Sequence, residues 1–449
     1  MESEISINQD ISLRKKFIKY LAPSVVAMWV FSLYTMVDGI FVSKGSGEVA
    51  LAAVNISMPF INFIFAISIL FSTGASTIIA IYLGKKDYKS SNETFSQNIA
   101  VIILLSIIIS VLCLLNLDKL AMFLGATNST LPLIKEYLSI IILFNGFFII
   151  SYSLEVLVKT DGFPFLATLG VLISAISNII LDYLFVIEFG WGVKGAAIAT
   201  GLSQVFSTVF FLIHFLTPKS TLKFSKFKFN FGVLKRIGFI GFPDSTTELS
   251  GGIIIMLFNQ SLLRFVGENA LISYSVICYV NTLVLMTMIG ITQGMQPLCS
   301  FYYGKGDTAT VKKLLKMGIS SIFIASIAIF TICIIFTSPI VSLFINPEEI
   351  LLFETSTQVF KVFSVSFLFL GFNVVISGFF ASIEMPKIST IISLSRGLVV
   401  MCMSLIMMIV LFDGKGIWIS SAISEFVCIF ISLFFLKKNI LKLENNRLS

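Results

Sequence analysis

The chain has one histidine, His214, and little charge of either sign: Asp, Glu, Lys and Arg make up 12% of its 449 residues. A single histidine excludes an HExxH zinc site, and the sequence has no Gly-rich Walker loop, no GxSxG elbow and no paired-aspartate signature. The connections between apolar runs are too short to hold a nucleotide-binding domain, which excludes an ATP-driven pump. The six cysteines, Cys113, Cys278, Cys299, Cys333, Cys402 and Cys428, form no CxxC pair and no disulfide framework. All lie in apolar runs and read as packing residues. No cleavable signal is evident: the polar start leads past Lys19 into a run too long for a signal h-region. These absences point away from an enzyme.

What the chain has is hydrophobicity, 57% of residues, with a mean hydropathy of +0.99. Runs of about 20 apolar residues recur, the length that crosses a hydrocarbon core of ~30 Å. We read twelve helical spans, near 17–43, 49–83, 95–116, 133–158, 164–187, 193–216, 237–263, 269–303, 312–336, 356–382, 388–411 and 414–436. The expected fold is therefore an all-α integral membrane protein in contact with the lipid bilayer. Of 31 Lys and Arg, 23 fall on one set of alternate loops and 7 on the other, with Arg396 inside a span. The positive-inside rule then puts both termini in the cytoplasm of a multi-pass inner (cytoplasmic) membrane protein. The net charge of +7 is spread over membrane-flanking loops, which argues against nucleic acid.

The spans are written twice. With a shift of 220, Pro23 falls on Pro243, Gly47-Glu48-Val49-Ala50-Leu51 on Gly267-Glu268-Asn269-Ala270-Leu271, and Tyr82-Leu83-Gly84-Lys85-Lys86-Asp87 on Tyr302-Tyr303-Gly304-Lys305-Gly306-Asp307. Near the ends of the halves the shift is 221: Gly195 matches Gly416, and Ser203-Gln204 matches Ser424-Glu425. This gives an N-lobe over 1–216, a cytoplasmic linker over 217–236, and a C-lobe with its tail over 237–449. Duplicated halves that rock about a shared site are a usual build of secondary transporters. The linker alternates Lys223-Phe224, Lys226-Phe227 and Lys228-Phe229. That pattern suits a segment on the membrane surface, and equally a solvated basic linker.

An ionisable group in mid-bilayer costs about 2.5–3.5 kcal/mol on insertion scales, so each one there needs a reason. Asp38 lies late in the first span, Glu155 late in the fourth, Asn178 and Asp182 on one face of the fifth, and Thr200 in the sixth. The twins of Asp38 and Asp182 are Phe258 and Met403, so the acids belong to one half only. Carboxylates, an amide and a hydroxyl suit a proton or a hard monovalent cation. Snorkelling or a helix-end position is the alternative for each. In the second half Glu248, Gln293, Gln296, Asn373 and Glu425 are candidates for lining a substrate cavity. Arg396 is a potential partner that would withdraw Glu425 from it.

At these residues the chain resembles the MATE (multidrug and toxic compound extrusion) antiporters, over nearly its whole length. Val37-Asp38, fifteen residues beyond Pro23, resembles the family's first helix. Ser177-Asn178-Ile179-Ile180-Leu181-Asp182-Tyr183-Leu184-Phe185 is similar to its fifth helix, and Gly195-Ala196-Ala197-Ile198-Ala199-Thr200-Gly201-Leu202-Ser203-Gln204 to its sixth. Gln293-Gly294-Met295-Gln296-Pro297, followed by Gly304-Lys305-Gly306-Asp307, resembles the eighth and its exit. Asp38, Asn178, Asp182 and Thr200 match the N-lobe cation site of the DinF-like prokaryotic branch, and Glu155 matches the fourth-helix acid of the MepA-like group. Two departures stand out. Asn373 replaces the tenth-helix acid of the NorM-like branch, and Lys159-Thr160-Asp161-Gly162 replaces the usual Arg-Gly at the fourth-helix exit.

The resemblance implies a monomeric antiporter that exports cationic, often aromatic, drugs or dyes from a cavity between the lobes. The coupling ion is H+ or Na+, a Na+ ion being held by Asp38, Asn178, Asp182 and Thr200. Loading would alter the first helix near a hinge at Pro23. No other cofactor is implied. A lipid-linked oligosaccharide flippase of the wider superfamily would want a basic cavity, whereas this cluster is acidic. An integral-membrane lipid enzyme would need a histidine or nucleophile constellation that is not there.

Overall fold

The computed structural model of the chain describes residues 2–445. Both chain ends, on which the expected cytoplasmic placement of the termini falls, lie outside the described residues, as does Arg447 of the basic tail. Among the described residues there is no strand. This follows from the solvent: in hydrocarbon each backbone N–H and C=O must bond within its own segment, and a helix achieves that locally.

The helices are α1 (Glu2–Ser46), α2 (Glu48–Gly84), α3 (Tyr88–Leu115), α4 (Leu117–Leu124), α5 (Leu131–Thr160), α6 (Pro164–Asp182), α7 (Gly192–Leu216) and α8 (Phe231–Phe265). There follow α9 (Glu268–Gly304), α10 (Thr308–Ile335), α11 (Thr337–Ser342), α12 (Ile350–Ser364), α13 (Phe367–Ser382), α14 (Pro386–Leu394), α15 (Val400–Phe412) and α16 (Ile417–Asn445). Widened π turns, Tyr183–Glu188 and Ser395–Val399, extend α6 and α14.

Ten stretches of the described residues are long and apolar enough to cross a bilayer. One of them, Pro386–Asn439, runs through the last two expected spans. The seventh expected span is absent from the ten, although α8 is 35 residues long, because Glu248, Asn259 and Gln260 dilute its apolar run. The twelve-span reading therefore holds, with α8 the polar exception.

Local chemistry sets the boundaries the same way twice. Asp87 Oδ1 accepts Ser90 N–H at 3.0 Å to cap α3, and Asp307 Oδ1 accepts Thr310 N–H at 3.0 Å to cap α10. Pro164 and Pro386 open α6 and α14 at the first turn, where a missing N–H costs nothing.

The chain divides into two compact units, Met1–Ser245 and Thr246–Ser449. In the first, α5 packs on α2, α3 and α7, and α6 packs between α1 and α7. Its core holds Ile134, Leu138, Ile142 and Ile149 of α5 against Ala50, Ala53 and Val54 of α2 and Ala196 and Ala197 of α7. One side of α3 turns Ile103, Leu104, Ile107, Ile108, Val111 and Leu112 outward, as a lipid-facing helix does. In the second unit α13 packs on α9, α10, α14 and α16. The division falls inside α8, so the linker and the start of α8 belong with the first unit.

Candidate functional site

The site is built where α1 lies along α6. Asp182 is the last residue of α6 before its π turn and is fully buried, as is Asn178 one helical turn earlier. Such turns recur at functional sites because they re-aim side chains without breaking the helix. Asp38 of α1 faces Asp182 within hydrogen-bonding reach. Two ionised carboxylates are both acceptors and cannot bond one another; one proton between them makes the bond possible. Asp38 Oδ1 and both Asp182 oxygens are buried without a hydrogen-bond partner, and so is Asn178 Oδ1. Asn178 Nδ2 donates to Thr200 Oγ1 at 3.4 Å, and that hydroxyl donates to Ala196 O at 2.9 Å. Four acceptor oxygens from two helices are thus buried and unsatisfied, and the donor nearest Asp182, the Asn178 amide, is already engaged by Thr200. An orphaned buried acceptor costs about 1–3 kcal/mol, more when charged, so this arrangement calls for a cation or a proton. Oxygen donors of this kind fit H+ or Na+; among the described residues no His/Cys/Asp/Glu trio forms a transition-metal site.

Around the acids stand residues that the sequence reading did not single out. Tyr34, one turn before Asp38, is buried, hydrogen-bonds Gln204, and lies within electrostatic range of Asp38, Asp182 and Glu155. Tyr137 of α5 is likewise near Asp38 and Asp182. Gln204 also accepts from Ser151 Oγ (2.8 Å) and donates to Ser174 Oγ (3.2 Å), tying α7 to α5 and α6. The available signal for Tyr34 was its i, i+4 spacing to Asp38.

Glu155 has a partner of its own. Lys159 Nζ lies 2.7 Å from Glu155 Oε1, and both side chains are buried. The i, i+4 spacing of opposite charges was the sequence signal for this pair. Glu155 Oε1 is likewise buried without a directed hydrogen bond, but the Lys159 ammonium at 2.7 Å opposes its charge. Pro23 sits within α1, and its carbonyl accepts from Thr168 Oγ1 of α6 at 2.7 Å. The proline thus lies on the same α1–α6 contact as the acids.

The second-half candidates separate. Arg396 Nε donates to Glu425 Oε1 (2.7 Å), and Asn373 Nδ2 donates to Glu425 Oε2 (2.8 Å). Ser432 Oγ donates to Asn373 Oδ1 (2.8 Å), which completes a satisfied cluster. Gln296 Nε2 reaches Gly378 O at 3.5 Å. Gln293 and Glu248 are half-buried, on α9 and α8. The structure thus brings Asn373 and Glu425 together.

Residues 23–184 and 245–406 each match the family model MatE, so the model fits the chain twice with an offset of 222. The chain belongs to the MatE family. This MatE chain is 26% identical over 423 residues to Multidrug export protein MepA of Staphylococcus saprophyticus subsp. saprophyticus, covering 93% of this chain and 92% of the relative. It is 28% identical over 419 residues to the MepA protein of Staphylococcus aureus strain MRSA252, covering 92% and 91%. Its fold matches an outward-facing multidrug resistance MATE family transporter of the MOP superfamily with a TM-score of 0.91 at 22% identity, over 96% of this chain and 97% of the other. A MATE crystal structure in a bent conformation matches with a TM-score of 0.90, also at 22% identity, over 97% of each chain. The MatE fold thus spans the whole chain.

Proposed function

We propose that the chain is a secondary multidrug efflux antiporter of the cytoplasmic membrane, exporting organic cations in exchange for inward H+ or Na+. The observation that carries this reading is the set of orphaned acceptors shared by Asp38, Asp182 and Asn178. The names of the MepA relatives supply the export of drugs.

Empty of cations, two facing carboxylates repel across the α1–α6 contact. A bound proton or Na+ removes the repulsion and lets the oxygens draw together. Thr168 and Pro23 lie on the same contact, and an internal proline weakens α1 at that point, so loading is expressed as a change in how α1 lies on α6. A cationic drug and the coupling ion then favour opposite states of one site, which is the requirement for exchange.

The test is ethidium efflux from proteoliposomes with a pH gradient and a Na+ gradient imposed separately. Asp38→Asn and Asp182→Asn should each reduce coupled efflux at least tenfold, and the double substitution should add little, because both remove one unit. Efflux at the parental rate in Asp38→Asn, or losses that multiply in the double variant, would remove the acids from the coupling site.

A further inference from the structure

Between α7 and α8 the chain runs without helix through residues 221–230. Backbone N–H groups of this strap fix it to the first unit. Thr221 N–H donates to Asp161 Oδ1 (2.8 Å), Lys223 N–H to Asn92 Oδ1 (2.8 Å), and Ser225 N–H to Ser96 Oγ (2.9 Å). Asn230 and Gln97 close the strap with a reciprocal pair, at 3.0 and 2.9 Å. Leu222 N–H also donates to Asp161 Oδ1 (3.2 Å), so the strap is pinned at both ends, and the N–H groups of residues 226–229 between the pins make no hydrogen bond among the described residues.

Over residues 223–228 the side chains alternate in exposure. Phe224, Lys226 and Lys228 are exposed on one face, while Lys223, Ser225 and Phe227 are half-buried on the other. Lysine and phenylalanine are therefore not segregated onto separate faces, as the bare repeat would suggest; both kinds share the outer face. The Lys223 ammonium is engaged by Thr217 O, which leaves Lys226 and Lys228 as the outward cations. No Asp or Glu occurs between Glu188 and Asp244, so nothing acidic on the strap neutralises them.

The depth of the strap follows from its anchors. Gln97 on α3 is six residues, about 9 Å of helix, before Ile103, where the outward apolar face of α3 begins. Leu216, exposed at the end of α7, lies shortly before the strap, Phe229 is exposed near its end, and Phe231 is exposed just after it. Nine ångströms from hydrocarbon-facing residues is the headgroup layer, where aromatic rings and lysines are at home.

We propose that the exposed side of the strap, with Lys226 and Lys228, binds the phosphate of an anionic lipid headgroup, while the exposed Phe224 and Phe229 rest on the upper acyl chains. Two exposed ammonium groups with no acidic residue on the strap to oppose them attract an anionic phosphate at the membrane surface. A zwitterionic lipid offers the same phosphate but adds an opposing cation, so charge complementarity selects the anionic headgroup.

The experiment is native mass spectrometry of the full chain in detergent, titrated with phosphatidylglycerol or with phosphatidylcholine of the same acyl chains. The parent should retain phosphatidylglycerol about 10- to 30-fold more strongly, as two lysines near an anionic surface provide. Lys226→Gln/Lys228→Gln should fall to the phosphatidylcholine level, and Lys85→Gln/Lys86→Gln, which removes two exposed cations elsewhere, should keep the preference. Equal retention of both lipids would overturn the proposal. So would an unchanged preference in the strap variant, or an equal loss in the control, which would make the effect one of net charge. Displacement of the lipid by millimolar inorganic phosphate would show a free-anion site and overturn the lipid assignment.

Discussion

Glu155 and Lys159 show how one neighbour changes the meaning of an acid. Taken alone, Glu155 is an intramembrane carboxylate of the coupling type; with Lys159 at 2.7 Å it is half of a buried ion pair. Removing one partner strands the other charge, at a cost of about 3–5 kcal/mol, whereas an apolar or neutral replacement of both is often tolerated. Glu155→Gln should therefore lower the melting temperature and the folded yield, and Glu155→Gln/Lys159→Met should recover most of both, together with efflux. A double variant that is folded but inactive would return Glu155 to the coupling site. At the surface, Lys86 has φ 62°, while its twin in the second half is Gly306 at 79°. A left-handed lysine is strained where glycine is not, so Lys86→Gly should stabilise by roughly 0.5–1 kcal/mol, read as a higher melting temperature in detergent. A decrease would mean that Lys86 makes a contact worth more than its strain.

Among the elements, the duplication persists while its chemistry diverges. In the first half Gln204 of α7 joins Ser151 of α5 and Ser174 of α6. In the second half Glu425 of α16 joins Asn373 of α13 and Arg396 in the π turn after α14. Ser151 and Asn373 are separated by the same 222 positions as the two family-model matches. The same crossing is thus held by neutral groups in one copy and by an ion pair in the other. Close backbone approach sets a second contact. A Cβ on Gly74 of α2 would meet Ile237 O of α8 at 2.1 Å, and one on Gly241 would meet Leu70 O at 1.8 Å. A glycine on each helix, facing a carbonyl of the other, lets the two membrane helices touch backbone to backbone. Gly241→Ala should force α8 off α2, lowering the melting temperature by several degrees and reducing efflux. A variant with parental stability would show that α8 shifts there without cost.

For the whole molecule, the 23-to-7 split of Lys and Arg predicts which face is cytoplasmic. Lys44, at the end of α1, and Lys228, on the linker strap, are both exposed and lie on opposite predicted sides. In a cysteine-free background, a membrane-impermeant thiol reagent on whole cells should label Lys44→Cys and spare Lys228→Cys. The reverse pattern, or labelling of both, would invert the orientation and with it the direction of export proposed above.

Membrane embedding, helix type, duplication and the one-sided placement of Asp38 and Asp182 were all fixed by the order of residues. The reason is that hydrocarbon imposes one backbone solution and one length, which any apolar run of about 20 residues reveals. The i, i+4 pairs, Asn178 with Asp182 and Glu155 with Lys159, were legible too, since helix geometry alone makes them neighbours. What tertiary structure decided is which groups meet across helices. Asp38 and Asp182 are 144 positions apart in the chain, and only the packing of α1 on α6 sets them face to face. Glu425 is withdrawn by Arg396 and Asn373 because α14, its π turn and α13 all pack on α16. Where the linker is fixed depends on Asp161, Asn92 and Ser96 arriving from two other helical segments. Local periodicity decides what lies on a helix face; only the approach of another helix decides whether a polar group there is satisfied or left waiting for a ligand.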